Sequence, residues 1–291
     1  MITVDTRLVA LLGNPLRQSF SHVMQNAAFR EHGVDFVYFP VETTEQSLPF
    51  VVNAIRHMNF AGCGVTKPDK VRIMPLLDKI DDLAAKIGAV NTVVKEEGKL
   101  VGYNTDGEGC VRSLRENMDI PIEEARFVCL GAGGSARAVC STLAHYGAAS
   151  ISVVDVNEAA AESLVRDINE RFRPVAEHLV YGDRRTLQDR INNAHVVMNH
   201  TGVGMAATLE ESPLPSTMWP RHVLAYDAIY NPAQTRFLRD ARDAGCRTLN
   251  GLGMLVYQGA LQFQMWTGRE DPSAIMFAAI EDYLSPKKAK D

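Results

Sequence analysis

Short apolar runs and longer amphipathic stretches alternate along the chain. In the first hundred residues, apolar runs at 7–12, 35–41 and 60–66 predict strands. Two further runs, 90–95 and 99–103, flank Glu-Glu-Gly and predict a hairpin. The periodicity between the runs predicts helices at about 23–31, 45–58 and 79–87. The pattern therefore predicts a mixed α/β domain.

The second half of the chain repeats strand, turn and helix more regularly. Residues 126–155 contain a strand, a glycine turn, a helix and a second strand. Further strands are predicted at about 178–181, 196–199, 224–228 and 248–250, with helical stretches between them. This order predicts an open, doubly wound parallel sheet of the Rossmann type.

From residue 251 the chain is helical to its end, with Leu, Met, Phe and Trp on one face. Because a helix this apolar has to be buried, we expect it to cross back and pack on the first domain. The sequence therefore predicts two domains, one of residues 1–105 plus 252–291 and one of residues 106–251.

The glycine turn after the strand at 126–130 has the composition of a dinucleotide-binding turn. Gly131 and Gly133 allow a tight turn and close approach to a pyrophosphate, while the small Ala136 allows close packing of helix and strand. Asp155 lies 22 positions after Gly133, where a carboxylate accepts hydrogen bonds from a ribose. The candidate cofactor-binding residues here are Gly131, Ala132, Gly133, Gly134, Ser135, Ala136 and Asp155.

The overall composition narrows the class of protein. The chain has 291 residues, 46% hydrophobic and 22% charged, with a formal net charge of -5, which argues against nucleic-acid binding. The sequence contains no long apolar run, so a membrane or secretory protein is not supported. Its five scattered cysteines indicate reduced thiols in the cytoplasm, and no metal site is predicted because ligand spacing is absent.

Several polar residues could carry chemistry. Lys70 lies in a predicted first helical turn and Asp106 opens a helix, so they could form an acid–base pair, although a lysine after a proline is more often a solvated surface residue. Small polar side chains at predicted element ends could bind a polyhydroxylated acid, or could simply cap turns. They are Ser19, Ser21, Thr66, Asn91 and Gln258.

A series of motifs, in order along the chain, resembles the shikimate/quinate dehydrogenase family. Together with the glycine turn they are Gly-Asn-Pro at 13–15, Ser-Phe-Ser at 19–21, Gly-Val-Thr-Lys-Pro-Asp-Lys at 64–70, Gly-Ala-Val-Asn-Thr-Val at 88–93, Gly-Tyr-Asn-Thr-Asp-Gly at 102–107, Asn-His-Thr-Gly-Val-Gly-Met at 199–205, Asp-Ala-Ile-Tyr-Asn-Pro at 227–232 and Asn-Gly-Leu-Gly-Met-Leu-Val-Tyr-Gln at 250–258. The resemblance implies an α/β substrate domain and a Rossmann domain. It implies hydride transfer between NAD or NADP and the ring of a cyclic hydroxy acid, shikimate or quinate.

The resemblance also implies roles for individual residues. Lys70 and Asp106 fall on the family's catalytic pair, and Ser19 and Ser21 fall on the hydroxyls that bind the substrate carboxylate. Four residues fall on substrate-contact positions, and two fall near the nicotinamide. The first group is Thr66, Asn91, Tyr230 and Gln258, and the second is Ala228 and Gly251.

Departures from the family pattern concern substrate and cofactor. Gly64 stands where biosynthetic members usually have asparagine, which predicts room for a bulkier ring. Asp155-Val156 stands where NADP-preferring members usually have Asn-Arg, which predicts NAD as the preferred cofactor, with NADP possible if Arg184 or Arg185 binds its phosphate. The alternatives are a biosynthetic NADP-dependent shikimate dehydrogenase and a non-catalytic nucleotide sensor. The oligomeric state stays open between monomer and homodimer.

Overall fold

The computed structural model describes residues 2–285 and divides the chain into two compact units. Unit 1 contains the chain up to Thr105 and from Val256 onward, and unit 2 is Asp106–Leu255. The chain returns to unit 1 within a helix that begins at Leu252, so the first turn of this helix belongs to unit 2.

The sheet of unit 1 is mixed. Its strands are β1 (Arg7–Gly13), β2 (Phe36–Glu42), β3 (Phe60–Val65), β4 (Lys79–Ile80), β5 (Thr92–Glu96) and β6 (Lys99–Tyr103). The order is β2-β1-β3-β5-β6-β4, and β5 runs antiparallel to both of its neighbours. Strand β1 lies between two parallel partners, which explains why its central residues form a continuous buried apolar run.

Four helices connect these strands, namely α1 (Ser21–Glu31), α2 (Leu48–His57), α3 (Asp69–Arg72) and α4 (Asp82–Ile87). The single helix expected at 79–87 is wrong at its start, because Lys79 and Ile80 form β4 and pair with β6. Asp81 then begins α4, since its carboxylate accepts hydrogen bonds from the amides of Leu83 and Ala84 at 2.9 and 3.4 Å.

The sheet of unit 2 is entirely parallel. Its strands are β7 (Arg126–Leu130), β8 (Ser150–Val154), β9 (Ala176–His178), β10 (Val196–Asn199), β11 (Leu224–Asp227) and β12 (Arg247–Leu249), in the order β12-β11-β10-β7-β8-β9. This is the strand order of the Rossmann fold, so the predicted fold class is confirmed. Every residue of β10 and β11 is buried, as expected for strands covered on both faces.

The helices of unit 2 are α5 (Asp106–Arg115), α6 (Gly134–His145), α7 (Glu158–Arg171), α8 (Arg184–Asn193) and α9 (Arg236–Asp243). Buried side chains of α5, α6 and α7 share one apolar core with the sheet, and those of α8 and α9 share another. The sheet is therefore doubly wound. Strand β9 begins earlier than the predicted strand at 178–181, because the side-chain amide of Asn169 binds both backbone groups of Ala176 at 2.9 Å.

Two helices, α10 (Leu252–Thr267) and α11 (Ser273–Leu284), form the C-terminal part of the described chain. They are separated at Gly268, which has a positive φ of 66°. Helix α11 packs against α1, and the rings of Phe20 and Tyr283 lie 5.6 Å apart. Residues 286–291, for which the sequence also predicts helix, lie outside the described residues. No helix within 2–285 is both long enough and apolar enough to cross a membrane.

The packing of α5 on α6 generates a stability prediction. A Cβ at Gly107 would lie 1.9 Å from the hydroxyl oxygen of Thr142 and 2.8 Å from the carbonyl oxygen of Ala138. Because this contact is buried, we expect Gly107→Ala to lower the free energy of unfolding by about 1–3 kcal/mol. Urea denaturation measures the change.

The matched control is Gly134→Ala, in the first turn of α6, where an added Cβ has no neighbour within 4 Å. We expect its unfolding midpoint to stay at or above that of the wild type. Equal midpoints for the two variants would contradict the close approach of α5 and α6.

Candidate active site and cofactor-binding site

The two predicted carboxylate-binding serines lie at the start of α1. The Ser19 hydroxyl donates to the Ser21 hydroxyl oxygen at 3.2 Å, and the Ser21 amide approaches the Ser19 oxygen at 3.3 Å. Ser21 is buried and Ser19 is half-buried. The structure therefore brings two neutral hydroxyl groups together, an arrangement that can bind an anionic oxygen without a formal positive charge.

Lys70 lies on α3, in a segment held by contacts to three other parts of unit 1. The Thr66 amide donates to the Leu12 carbonyl at 2.8 Å, and the Val90 amide donates to the Lys70 carbonyl at 2.8 Å. The next residue toward the N-terminus, Asp69, is fully buried and accepts a hydrogen bond from the Thr43 hydroxyl. These contacts fix the backbone from which the half-buried Lys70 side chain projects.

Asn91 is the centre of a buried polar network. Its side-chain oxygen accepts a hydrogen bond from the Thr105 amide at 2.8 Å, and its side-chain nitrogen donates to the Thr105 hydroxyl at 2.9 Å. The same nitrogen lies 3.4 Å from the side-chain oxygen of Gln258 on α10. The structure thus joins two predicted substrate-contact residues, although 167 positions separate them in the sequence.

Unit 2 contains the remaining predicted catalytic and contact residues. Asp106 begins α5 and is 7% exposed. Tyr230 is half-buried and follows β11, and burial raises the pKa of its phenol. A Cβ at Gly251 would lie 2.1 Å from the carbonyl oxygen of Ala228, so only glycine fits where these two backbones meet.

The glycine turn lies between β7 and α6, as the sequence predicts. Gly131 has a positive φ of 105°, and a Cβ there would lie 2.9 Å from the carbonyl carbon of His200. Gly133 and Gly134 are exposed, and added Cβ atoms there would meet nothing within 4 Å. The helix N-terminus is therefore open to a ligand, and its free amides suit a pyrophosphate.

Asp155 follows β8 and bonds directly to this turn. One carboxylate oxygen accepts a hydrogen bond from the Ala132 amide at 2.6 Å, and the other accepts from the Asn157 amide at 2.8 Å. The neighbouring Val156 is 73% exposed and offers no charge. A half-buried carboxylate at this place fits the ribose-binding role that the sequence predicts.

The sequence reasoning missed the buried polar cluster that supports the neighbouring loops. Asp227, at the end of β11, accepts hydrogen bonds from the Thr235 hydroxyl at 2.6 Å, the Ile229 amide at 3.0 Å and the Asn199 side chain at 3.2 Å. Burial raises the pKa of Asp227 to about 6, and these hydrogen bonds oppose the shift. The only sequence signal was that Asn199 and Asp227 each begin a motif at a predicted strand end.

His200 connects the loop after β10 to the glycine turn. Its Nδ1 lies 3.0 Å from the Ser135 hydroxyl, and burial lowers its pKa to about 4. The imidazole is therefore neutral near pH 7 and can accept the Ser135 proton. Within residues 2–285, no three His, Cys, Asp or Glu side chains are grouped as metal ligands.

One expectation from the sequence is wrong. Gly64 does not leave open space, because a Cβ there would lie 2.6 Å from the hydroxyl oxygen of Tyr38 and 3.4 Å from Cδ1 of Leu11. The volume that asparagine would use is occupied by a side chain from β2. The physical reason is that a folded core fills the space beside a small residue with other atoms.

Comparison with known proteins gives one consistent family. Residues 11–93 match the model of the shikimate dehydrogenase substrate binding domain, and residues 251–281 match that of the shikimate 5'-dehydrogenase C-terminal domain. The shikimate dehydrogenase (NADP(+)) of Moorella thermoacetica is 42% identical over 283 residues, which cover 97% of this chain and 95% of that protein.

Solved structures agree with this result. The shikimate 5-dehydrogenase of Listeria monocytogenes, in complex with shikimate and NAD, has a TM-score of 0.92 and 37% identity, covering 96% of this chain and 98% of its own. The quinate dehydrogenase of Corynebacterium glutamicum, in complex with NAD, has a TM-score of 0.87 and 29% identity, covering 95% and 99%.

The raised pKa of Asp227 predicts a pH-dependent stability. An unfolded aspartate titrates near pH 4, so between about pH 4 and 6 the folded protein binds the proton more tightly than the unfolded chain does. The stability contributed by this proton is present below pH 4 and is lost as the pH rises through 6. Relative to Asp227→Asn, which stays neutral, we expect the wild type to lose up to ~2 kcal/mol between pH 4 and 7.

Urea denaturation of both proteins over this pH range measures the difference, and any constant cost of the altered hydrogen bonds cancels in the slope. Asp183→Asn is the matched control. The Thr186 hydroxyl lowers the pKa of Asp183, so the wild type should gain stability over that variant as pH rises. If the free energy of unfolding changed equally with pH in the wild type and in Asp227→Asn, the raised pKa of Asp227 would be contradicted.

Proposed function

The chain belongs to the shikimate dehydrogenase family, whose members are oxidoreductases that act on a CH–OH group. From this membership we propose that it interconverts a ring hydroxyl and a ketone, between shikimate and 3-dehydroshikimate, between quinate and 3-dehydroquinate, or both. The observation that carries the substrate class is the buried pairing of Asn91 with Gln258. Neutral amides that converge in a polar network are suited to ring hydroxyls, and the serine pair at the start of α1 is suited to a carboxylate.

We propose that unit 1 binds the substrate and that unit 2 binds a nicotinamide dinucleotide. When bound, the dinucleotide supplies or accepts the hydride. The open amides of the glycine turn would bind its pyrophosphate, and Ala228 and Gly251 would lie near its nicotinamide. The substrate contacts would come from Ser19, Ser21, Thr66, Asn91, Tyr230 and Gln258.

For the acid–base chemistry, we propose that Lys70 gives a proton to the ketone oxygen during reduction and removes it during oxidation. The hydrogen bonds around α3 support this role because they hold the Lys70 backbone in one place. Asp106 would be the carboxylate that orients the amine and stabilises its charged form. Both roles are carried over from the family motifs on which these residues fall.

NAD is the preferred cofactor in this proposal. The fixed carboxylate of Asp155 would accept hydrogen bonds from ribose hydroxyls and repel a phosphate, and Val156 supplies no compensating charge. The named NADP(+) specificity of the Moorella thermoacetica relative favours the alternative, a biosynthetic NADP-dependent enzyme. In that case Arg184 or Arg185, at the start of α8, would have to bind the phosphate.

Initial oxidation rates of shikimate and quinate, each with NAD and NADP, test substrate and cofactor together. We expect the higher kcat/KM with NAD. Asp155→Asn keeps an acceptor for the Ala132 amide but removes the charge, so its KM for NADP should fall about 10-fold or more while its KM for NAD rises. Higher efficiency of the wild type with NADP would refute the NAD preference.

Replacement of the proposed acid–base lysine separates catalysis from binding. We expect Lys70→Ala to lower kcat by about 10²- to 10⁴-fold, while calorimetry still detects dinucleotide binding. Lys67→Ala is the matched control. This lysine is exposed and lies three residues before Lys70, so we expect its variant to keep the wild-type kcat. Dinucleotide binding without turnover by the wild type would instead favour a nucleotide sensor.

A further inference from the structure

Tyr38 reaches across one strand of the unit 1 sheet to cover Gly64. Tyr38 lies on β2 and Gly64 on β3, with β1 between them. A Cβ at position 64 would lie 2.6 Å from the Tyr38 hydroxyl oxygen, which is less than van der Waals contact. The phenol therefore occupies the place into which any side chain at position 64 would project.

The Tyr38 hydroxyl is buried without a hydrogen bond that meets standard geometry among the described residues. The residue is 2% exposed. Burial raises the pKa of its phenol, the neighbouring Cys63 thiol raises it further, and the nearby Ser21 hydroxyl opposes the shift. A buried hydroxyl without a hydrogen-bond partner lowers the stability of the folded protein. The nearby Ser21 hydroxyl is a group that could become the partner of Tyr38.

Gln262 lies near the same position from α10. Its side-chain nitrogen donates to the Thr92 hydroxyl at 3.0 Å and to the Asn91 carbonyl at 3.3 Å. Its side-chain oxygen would lie 3.7 Å from a Cβ at Gly64. That distance is ordinary van der Waals contact, so a Cβ at Gly64 is accommodated beside the anchored Gln262, and the group that has to move is Tyr38.

We propose that Tyr38 is a positioning residue for the substrate-binding hydroxyl of Ser21, and that positions 38 and 64 determine substrate binding jointly. Ser21 already accepts a hydrogen bond from Ser19. A second bond, donated by Tyr38 when an anion is bound, leaves the Ser21 proton directed at the substrate carboxylate. This inference rests on the proposed function, since it assumes that Ser21 binds the carboxylate.

A double-mutant cycle with Gly64→Ala and Tyr38→Phe tests the shared volume. Alone, Gly64→Ala should lower kcat/KM for shikimate or quinate about 10-fold, because its Cβ displaces the Tyr38 hydroxyl from its present place. With Tyr38→Phe the clashing oxygen is absent, so the same change should cost less than about twofold. An equal cost in both backgrounds overturns the proposal.

A substrate without a carboxylate charge tests the link to Ser21. Tyr38→Phe should raise KM for shikimate about 2- to 10-fold with little change in kcat, because one hydrogen bond of the carboxylate site is lost. For the methyl ester of shikimate, KM should stay within about twofold of the wild-type value. The same increase for both substrates would mean that Tyr38 has only a packing role and would overturn the proposal.

A control variant and a measurement of stability separate a failure of the proposed function from a failure of the proposal for Tyr38. Tyr103→Phe is the matched control, because that hydroxyl binds Glu96 at the sheet surface and its removal should leave both KM values unchanged. The cycle is also measured as unfolding temperature, which needs no substrate. If neither substrate is turned over, the proposed function fails, whereas additive shifts in unfolding temperature overturn the coupling of positions 38 and 64.

Discussion

The side chain of Asn91 makes the hydrogen bonds on which the site of unit 1 depends. Its amide group binds Thr105 through both backbone and hydroxyl, and it contacts Gln258 on α10. Its backbone carbonyl accepts from the Val65 amide at 2.7 Å, and its backbone amide donates to Tyr103 at 3.0 Å. One residue therefore joins the ends of β3 and β6 to a helix from the far end of the chain. An apolar residue here would leave several buried polar groups without partners.

In unit 2 the buried polar groups of the loops find their hydrogen-bond partner in a carboxylate instead of a side-chain amide. Asp227 satisfies an amide, a hydroxyl and the Asn199 side chain, and thereby ties the loop after β10 to the start of α9. The cost is a buried carboxylate, which appears as its raised pKa. In both units the polar clusters lie at the ends of strands, because loop backbones there lose the ladder hydrogen bonds that satisfy the strands.

The features that could be predicted from the sequence were those encoded over short distances. The Rossmann order follows from alternating strands and helices, and the glycine turn follows from Gly131, Gly133 and Asp155. What could not be predicted were contacts between distant side chains. The pairing of Asn199 with Asp227 and the filling of the space at Gly64 by Tyr38 leave no periodic signal, because they depend on which strands become neighbours. The small shift of β9 has the same origin in Asn169.

In the proposed function, Asp155 couples cofactor choice to the geometry of the glycine turn. Its two oxygens already bind the amides of Ala132 and Asn157, so the carboxylate is part of the turn before any ribose is bound. Its orientation is therefore fixed in advance, which lowers the entropy lost on binding. It also follows that replacing Asp155 by a residue without an acceptor would loosen the amides of the glycine turn as well as remove a charge. A residue at 155 that accepts hydrogen bonds is therefore needed to hold the amides of Ala132 and Asn157 in their present orientation, whatever its charge.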